Sequence, residues 1–222
     1  MGTTKVQYFP CQGGGSLVSQ YAFLINSDAC SGCKTCQVAC KDKHDLPIGV
    51  FWRKVFEVTA GDWQRKNDAW VATVAAYNLS SACHHCLNPV CVPPCPTDAI
   101  WKTETGIVLI DESSCRNCKA CELACPYGAI RFDPVRNTTT KCHFCYDLLE
   151  LGLPPACVAA CPNRALDFGD FAELKKRYPQ GLASVFPLPD PSATTPAAVI
   201  VPHRNAAFIQ SRSPAVANRE EV

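Results

Sequence analysis

The chain has 222 residues, which suits one or two domains and allows a sizeable core without cross-links. Its 21 Lys and Arg nearly balance its 20 Asp and Glu, so no strong field favours nucleic acid or an acidic membrane surface. No stretch reaches the roughly 20 apolar residues that span a bilayer, and the first 27 residues lack the apolar core of a secretory signal. The 17 cysteines are therefore expected to stay reduced, and clustered reduced thiols are typical metal ligands.

Sixteen of the cysteines fall into four quartets, each of which opens with C-x2-C and closes with C-x3-C. The first and third quartets have the full C-x2-C-x2-C-x3-C spacing of bacterial ferredoxins, and a proline follows the last cysteine of every quartet except the first. This spacing predicts [4Fe-4S] clusters. In chain order the quartets are Cys30, Cys33, Cys36 and Cys40; Cys83, Cys86, Cys91 and Cys95; Cys115, Cys118, Cys121 and Cys125; and Cys142, Cys145, Cys157 and Cys161.

Short regular elements are predicted around the quartets. Strands over residues 50–59 and 70–78 follow the first quartet, joined by a polar loop that contains Gly61 and Asp62. A two-stranded hairpin, from residues 99–101 and 107–110, is predicted between the second and third quartets. Within each quartet a short helix should separate the third and fourth cysteines, and a following proline should stop it.

An internal repeat supports this scheme without using the cysteine count. The segments CPTDAI, CPYGAI and CPNRAL each place Ala, then Ile or Leu, three and four residues after the proline. The repeat predicts that each cluster helix leads into a strand packed against the cluster. Cys40 departs from the pattern because Lys41 follows it.

The helix between the third and fourth cysteines turns the fourth thiolate toward a different cluster, so one quartet cannot complete its own cluster. Quartets two and three are close in sequence and should exchange their fourth ligands, which leaves quartets one and four to do the same. The predicted ligands are Cys30, Cys33, Cys36 and Cys161 (first set); Cys40, Cys142, Cys145 and Cys157 (second set); Cys83, Cys86, Cys91 and Cys125 (third set); and Cys95, Cys115, Cys118 and Cys121 (fourth set).

These pairings predict an α+β fold built as a duplicated bacterial ferredoxin, with two clusters in each of two lobes. Residues 20–79 and 136–178 would form the first ferredoxin-like lobe, and residues 80–135 the second, inserted into the first. Residues 1–19 are an N-terminal extension. Residues 179–222, rich in Pro, Ala and Ser, are expected to form an extended tail that contacts a partner.

Other interpretations of the cysteines are weaker. Four C-x2-C pairs could staple an interaction protein through four-cysteine zinc sites, but such sites do not need the recurring third cysteine. Cys11 lies outside every quartet and is interpreted as incidental. His84, His85 and His143 are not expected to bind iron, because no quartet lacks a cysteine. They could donate hydrogen bonds around a cluster.

Other residues near the quartets are given no chemistry. Lys34, Arg116, Lys119 and Lys141 are expected to be solvated charges, and Trp52, Trp63, Trp70 and Trp101 to be packing residues. The chain has no dinucleotide fingerprint, no phosphate loop and no nucleophile elbow. We therefore predict no catalytic residue and no cofactor-binding residue beyond the cluster ligands.

The stretches DACSGCKTCQVACKDKHDL, FWRKVFEVTAGDW, TKCHFCYDLLELG and CPNRALDFGDFAELKK resemble the four-cluster iron-sulfur subunits of membrane-bound molybdoenzymes, most closely those of the dimethyl sulfoxide reductase type. The resemblance implies an electron-transfer subunit of an anaerobic respiratory complex. Its partners would be a molybdopterin-containing catalytic subunit and a membrane anchor with a quinol site. The chain would be peripheral to the membrane, on a face that the sequence leaves open.

The resemblance also implies an order of clusters. The first set would lie nearest the catalytic subunit, followed by the second and third sets, and the fourth would lie nearest the membrane. Some relatives have Trp at the position of Cys118 and hold a [3Fe-4S] cluster, so Cys118 implies four [4Fe-4S] clusters here. The same role in a polysulfide, tetrathionate or arsenate reductase, a formate dehydrogenase or a hydrogenase remains an alternative.

Overall fold

A computed structural model describes residues 19–222, so Cys11 and nearly all of the predicted N-terminal extension lie outside the described residues. Within this range the chain is a mixed arrangement of twelve short strands in small sheets and six helices. The strands are β1 (Tyr21–Asn26), β2 (Arg53–Ala60), β3 (Trp63–Lys66), β4 (Ala69–Ala72), β5 (Ala75–Ala82), β6 (Ile100–Lys102), β7 (Val108–Ile110), β8 (Ile130–Asp133), β9 (Thr138–Lys141), β10 (Leu166–Asp170), β11 (Ala198–Val201) and β12 (Ala215–Val216). The helices are α1 (Thr35–Lys43), α2 (Ala120–Ala124), α3 (Tyr146–Glu150), α4 (Ala156–Ala159), α5 (Phe171–Arg177) and α6 (Ala206–Gln210).

The first sheet has β1 at its centre, antiparallel to β10 and parallel to β11. Both faces of β1 are covered, which explains its continuous apolar run. Phe23 and Ile25 point into the main core, whereas Ala22 and Leu24 pack against Leu174 of α5. This sheet joins the two ends of the described chain.

The second sheet has the order β12-β2-β5, and β2 and β5 pair along their whole lengths. Strand β2 covers most of the strand predicted over 50–59. The strand predicted over 70–78 is wrong in its bounds, because residues 70–72 belong to β4 and β5 runs from Ala75 to Ala82, and the polar loop predicted between the two strands is also wrong. That segment contains the β3–β4 hairpin, whose turn has Asn67 at φ 55°. The Asn-Asp pair at residues 67 and 68 is a two-residue hairpin signal that the alternation pattern does not reveal.

The tryptophans differ in burial. Trp52 is 6% exposed, and its indole N–H donates to Thr140 Oγ1 at 3.0 Å, so its prediction as a packing residue is confirmed. Trp63 and Trp70 lie on the β3–β4 hairpin and are 59% and 66% exposed. For these two the packing prediction is wrong, because every residue of β3 and β4 is exposed.

Two further hairpins flank the third quartet. The β6–β7 hairpin confirms the prediction, with Trp101 opposite Leu109, and Gly106 at φ 79° makes its turn. The β8–β9 hairpin pairs Ile130 with Lys141 and runs across the junction between residues 135 and 136 that was predicted to separate the lobes.

The extended tail predicted over residues 179–222 is wrong, because this segment folds back onto the rest of the protein. Strand β11 fills one edge of the first sheet, and β12 pairs with β2, where Ala215 lies opposite Thr59. Between them, Ile209 of α6 is fully buried. The β-branched run Ala198–Val201 has the composition of a buried strand, which the surrounding Pro, Ala and Ser obscured.

Cysteines form part of the hydrophobic cores. The largest core contains Cys36, Cys40, Cys142, Cys157 and Cys161 together with apolar residues of β1, β2 and β5. A smaller core around the β6–β7 and β8–β9 hairpins includes Cys121. The fold thus buries thiols where a domain of this size would otherwise bury aliphatic side chains.

Candidate iron-sulfur sites

All sixteen quartet cysteines lie within the described residues and are free thiols. Eight are buried and six are partly buried, whereas Cys33 and Cys118 are exposed. Free, buried thiols concentrated in a core are a donor set that suits soft metals and iron-sulfur clusters.

Each quartet opens with the same backbone turn. The residue two positions after the first cysteine has a left-handed conformation in all four quartets. In two of these turns the N–H of the left-handed residue itself points at the first thiol: the N–H groups of Asn117 and Phe144 donate to Cys115 and Cys142, with N–Sγ distances of 3.4 Å in both cases. The four left-handed residues are Gly32 (φ 73°), His85 (φ 43°), Asn117 (φ 58°) and Phe144 (φ 63°).

The helices predicted between third and fourth cysteines are present in three quartets. Helices α1, α2 and α4 contain or adjoin these cysteines, whereas residues 91–95 of the second quartet form turns. Helix α1 continues past Cys40 to Lys43, because no proline stops it.

The three CP repeats share one geometry. The third residue after the cysteine is left-handed in each, with φ 52°, 56° and 51° at Asp98, Gly128 and Arg164. Two residues later, strands β6, β8 and β10 begin. The strands predicted after the repeats are therefore present, although the second quartet has no helix before its strand, and the packing of these strands against clusters stays a prediction.

The thiols of the first predicted set are neighbours. Burial raises the pKa of Cys30, and the nearby thiols of Cys36, Cys161 and Cys33 raise it further. The contact between α1 and α4 brings residues from opposite ends of the described chain to this place. Ala165 N–H donates to Cys161 Sγ at 3.3 Å, and so fixes the thiol that comes from the distant quartet.

The second predicted set is the most deeply buried. Burial raises the pKa of Cys40 to about 12, and Cys157 and Cys145 add to this effect. Burial raises the pKa of Cys142 well above its ordinary value, and among the thiols that add to it are Cys40, Cys145 and Cys157. The four thiols therefore surround a common region of the core.

The third predicted set gathers in the same way. Burial raises the pKa of Cys91 to about 12, and nearby Cys83, Cys125 and Cys86 raise it further. Cys125 belongs to the third quartet and the other thiols to the second, so the grouping crosses quartets.

The fourth predicted set is more open. Burial raises the pKa of Cys121 to about 11, with Cys115 and Cys95 adding to the effect. Cys118 is exposed.

The crowding of these thiols fits a cluster better than a single ion. In the described part of the chain, no group of three or more His, Cys, Asp or Glu side chains converges on one metal ion. In a [4Fe-4S] cluster each thiolate binds a different iron, so the sulfurs need not converge. Positively charged iron would also ionise thiols that burial keeps neutral.

The polar surroundings of the thiols were only partly predicted. His84 and His85 are 3% and 0% exposed, and His85 Nδ1 accepts the Val108 N–H at 3.0 Å, so this ring nitrogen supports the backbone of β7. The prediction of Lys141 as a solvated charge is wrong: it is 4% exposed, and its ammonium donates to the carbonyls of Val108 and Cys142.

Sequence reasoning missed Arg53, which is 1% exposed and lies among the thiols of the first and second sets. A signal was present in strand β2, where side chains two residues apart share a face. Arg53 is two residues before Val55, which is 1% exposed, so the alternation places the guanidinium on the buried face.

Left-handed cysteine loops, three CP turns and thiols gathered from paired quartets define an iron-sulfur protein of the ferredoxin type. Residues 74–171 match the family model of the 4Fe-4S dicluster domain. In the described part of the chain, no helix has the length and apolar character needed to cross a membrane.

The chain is 44% identical over 206 residues to one chain of the anaerobic dimethyl sulfoxide reductase of Escherichia coli (strain K12), covering 93% of this protein and 100% of the relative. It is 38% identical to one subunit of the tetrathionate reductase of Salmonella typhimurium, over 78% of this protein and 67% of the relative. It is 39% identical to the thiosulfate reductase electron transfer subunit of Salmonella typhi, over 71% of this protein and 79% of the relative. The protein therefore belongs to the family of iron-sulfur subunits of dimethyl sulfoxide reductase-type complexes, and it is an electron-transfer subunit.

Proposed function

We propose that this chain relays single electrons through four [4Fe-4S] clusters, from a quinol-oxidising membrane anchor to a molybdopterin-containing catalytic subunit. The complex is of the dimethyl sulfoxide reductase type, and the chain is a peripheral subunit of it. The similarity to the dimethyl sulfoxide reductase relative of Escherichia coli, over the whole length of that relative, supports this assignment. The clusters supply one-electron redox chemistry, and the chain supplies their ligands and their surroundings.

The proposed ligands are the four sets predicted from spacing. The observation that carries them is the environment of Cys142, whose thiol neighbours include Cys40 and Cys157, from segments far apart in sequence. Ligand exchange between the first and fourth quartets requires this proximity. It also supports the proposed architecture, in which a second two-cluster lobe is inserted into the first.

The contacts between sets support a linear path. The thiol of Cys157, in the second set, lies near enough to Cys36 of the first set to raise the pKa of Cys36. In the same way, Cys83 of the third set raises the pKa of Cys142 of the second set. Helix α2 and its C-terminal end carry Cys121 of the fourth set and Cys125 of the third. Electrons could therefore pass from the fourth set to the first through neighbouring sites.

Single cysteine variants of the purified complex test the ligand exchange. Cys161→Ala and Cys30→Ala should alter the same electron paramagnetic resonance signal, and Cys157→Ala and Cys40→Ala should alter a different one. If Cys161→Ala and Cys157→Ala altered the same signal, that result would contradict the ligand exchange. Cys11→Ala, outside every quartet, is the matched control and should leave all four signals unchanged.

Chemical analysis separates the relay from the zinc-stapled alternative. The relay requires about sixteen iron and sixteen acid-labile sulfide atoms per chain, four of each for every cluster. A colourless complex that contains zinc and no labile sulfide would contradict it.

Relatives named for tetrathionate and thiosulfate reductases keep a second respiratory complex open as the setting. The substrate is tested by supplying reduced quinol to the intact complex and comparing dimethyl sulfoxide, tetrathionate and thiosulfate as acceptors. Fastest turnover with dimethyl sulfoxide is expected. Turnover with only tetrathionate or only thiosulfate would instead assign the chain to a tetrathionate or thiosulfate reductase complex.

A further inference from the structure

Arg53 is a buried cation without a carboxylate partner in the described part of the chain. It is 1% exposed, and its guanidinium carbon lies 4.6 Å from the centre of the Phe23 ring. One guanidinium nitrogen, Nη1, donates to Ser80 Oγ at 3.1 Å. The other two, Nε and Nη2, have no hydrogen-bond partner among residues 19–222.

Such an arrangement is costly unless negative charge lies nearby. Burying a guanidinium removes its hydration, and neither the Phe23 ring nor one hydroxyl replaces it. The acidic groups whose negative charge would favour the charged form of Arg53 are thiols. In order of decreasing effect they are Cys157, Cys36, Cys142 and Cys40. One belongs to the first proposed set and three belong to the second.

Ser80 links the guanidinium to one of these thiols. Its hydroxyl oxygen accepts from Arg53 and lies 3.3 Å from Cys36 Sγ. With Arg53 as donor, the Ser80 hydroxyl hydrogen is free to point at the sulfur. A cation, a hydroxyl and a cluster ligand thus form one continuous contact.

We propose that Arg53 raises the reduction potentials of the first two clusters, because it places a fixed positive charge and two unused N–H donors among the thiols of both ligand sets. The inference rests on the proposed ligand sets. Reduction adds one electron to a cluster, and a nearby positive charge stabilises the reduced form more than the oxidised form. Ser80 extends the effect to the first cluster through Cys36.

Arginine suits this position because its charge does not change with pH in proteins. Its fork of donors is also planar, so one side chain can face two sites. The tuning should therefore be independent of pH. A lysine would keep the charge and lose the fork.

The test is a redox titration of the intact complex, followed by electron paramagnetic resonance with signals assigned from the cysteine variants. Arg53→Met should reduce the equilibrium constant for reduction of the first and second clusters at least tenfold, which is about 59 mV for a one-electron couple. The third and fourth clusters should change less than twofold. Arg53→Lys should recover more than half of the lost potential.

The matched control is Lys34→Met, which removes a cation beside Cys33 of the first set. Lys34 lies at the surface and pairs with Glu57 at 3.0 Å and with Glu221, so its charge is already compensated. This variant should change every potential less than twofold. If Lys34→Met shifted the reduction potentials as much as Arg53→Met does, the loss of any nearby positive charge would explain the effect, and the proposal would be overturned.

Ser80→Ala serves if Arg53→Met does not assemble. It should lower the equilibrium constant for reduction of the first cluster by a factor of two to five and leave the second unchanged. An unchanged potential of the first cluster in Ser80→Ala, or equal shifts in all four clusters, would overturn the tuning role. These results leave the electron relay intact, whereas a complex without four cluster signals would refute the relay itself.

Discussion

Replacing Thr194 by Val removes a hydroxyl that joins the C-terminal segment to a proposed cluster ligand. Thr194 is 1% exposed, and its hydroxyl lies 2.7 Å from that of Tyr127. It also hydrogen-bonds the Cys86 thiol: burial raises the pKa of Cys86 to about 12, and this bond opposes the rise. Tyr127, Thr194 and Cys86 therefore form a series of polar contacts that ends on a sulfur.

The expected effect on potential follows from the strength of that bond. A hydrogen bond to a charged group contributes about 1.5–3 kcal/mol. If a third of this energy depends on the redox state of the cluster, the variant loses roughly 0.5–1 kcal/mol, since the electron spreads over the whole cluster. At about 59 mV for each tenfold change in a one-electron equilibrium, this lowers the potential of the third cluster by about 20–40 mV.

Redox titration of the intact complex measures this shift. Thr194→Ser keeps the hydroxyl and should restore the potential. Tyr127→Phe removes a group one step further from the sulfur and should have a smaller effect. An unchanged potential in Thr194→Val, with Thr194→Ser also unchanged, would refute the reasoning, because the hydroxyl would then play no part at the cluster.

Three further predictions concern stability and ionisation. Asn218 donates to one backbone group of β2 and accepts from another, both at 2.9 Å, so Asn218→Ala should cost about 1–3 kcal/mol and speed hydrogen exchange in β2 and β12; unchanged exchange would contradict this. Asp133 is fully buried, pairs with Arg136 at 3.0 Å and accepts hydrogen bonds from the backbone N–H groups of Val135 and Arg136, so Asp133→Ala should destabilise the protein by about 1–3 kcal/mol in thermal unfolding of the complex. Asp68→Ala, at an exposed pair, should leave stability essentially unchanged. Burial lowers the pKa of Lys54 to about 8, with Arg131 contributing. Because the unfolded chain keeps this proton up to about pH 10.4, stability should rise between about pH 8 and 10.4, and Lys54→Met should remove that rise; an identical pH profile in the variant would count against a lowered pKa.

The features that were predicted best from the sequence depend on a few neighbouring residues. A C-x2-C loop and a CP repeat each fix their backbone locally, and the turns at Asn117 and Gly128 follow from such short motifs. The β6–β7 hairpin was predicted for the same reason, since its turn residue Gly106 lies between two β-branched runs. The grouping of quartets in pairs rests on cluster chemistry and not on local propensity, and it stays a prediction.

The features that were missed depend on contacts between distant segments. Strand β11 forms because Ala198 and its neighbours find β1, and nothing within the segment identifies that partner. Arg53 and Lys141 are charged residues whose burial depends on thiols and carbonyls from other elements. A charged side chain is normally expected to be solvated, so the residue type alone predicts exposure. Here the tertiary packing buries these side chains instead.

The central position of β1 in its sheet has a consequence for biosynthesis. Strand β1 is made first among the described elements, yet both strands that pair with it, β10 and β11, are synthesised long after it. Its residues, among them Phe23 and Ile25, must therefore wait for both of their partner strands until residues 166–201 have been synthesised. Closure of this sheet is a late, long-range event, and cells that make the protein have to protect β1 from aggregation until residue 201 has emerged.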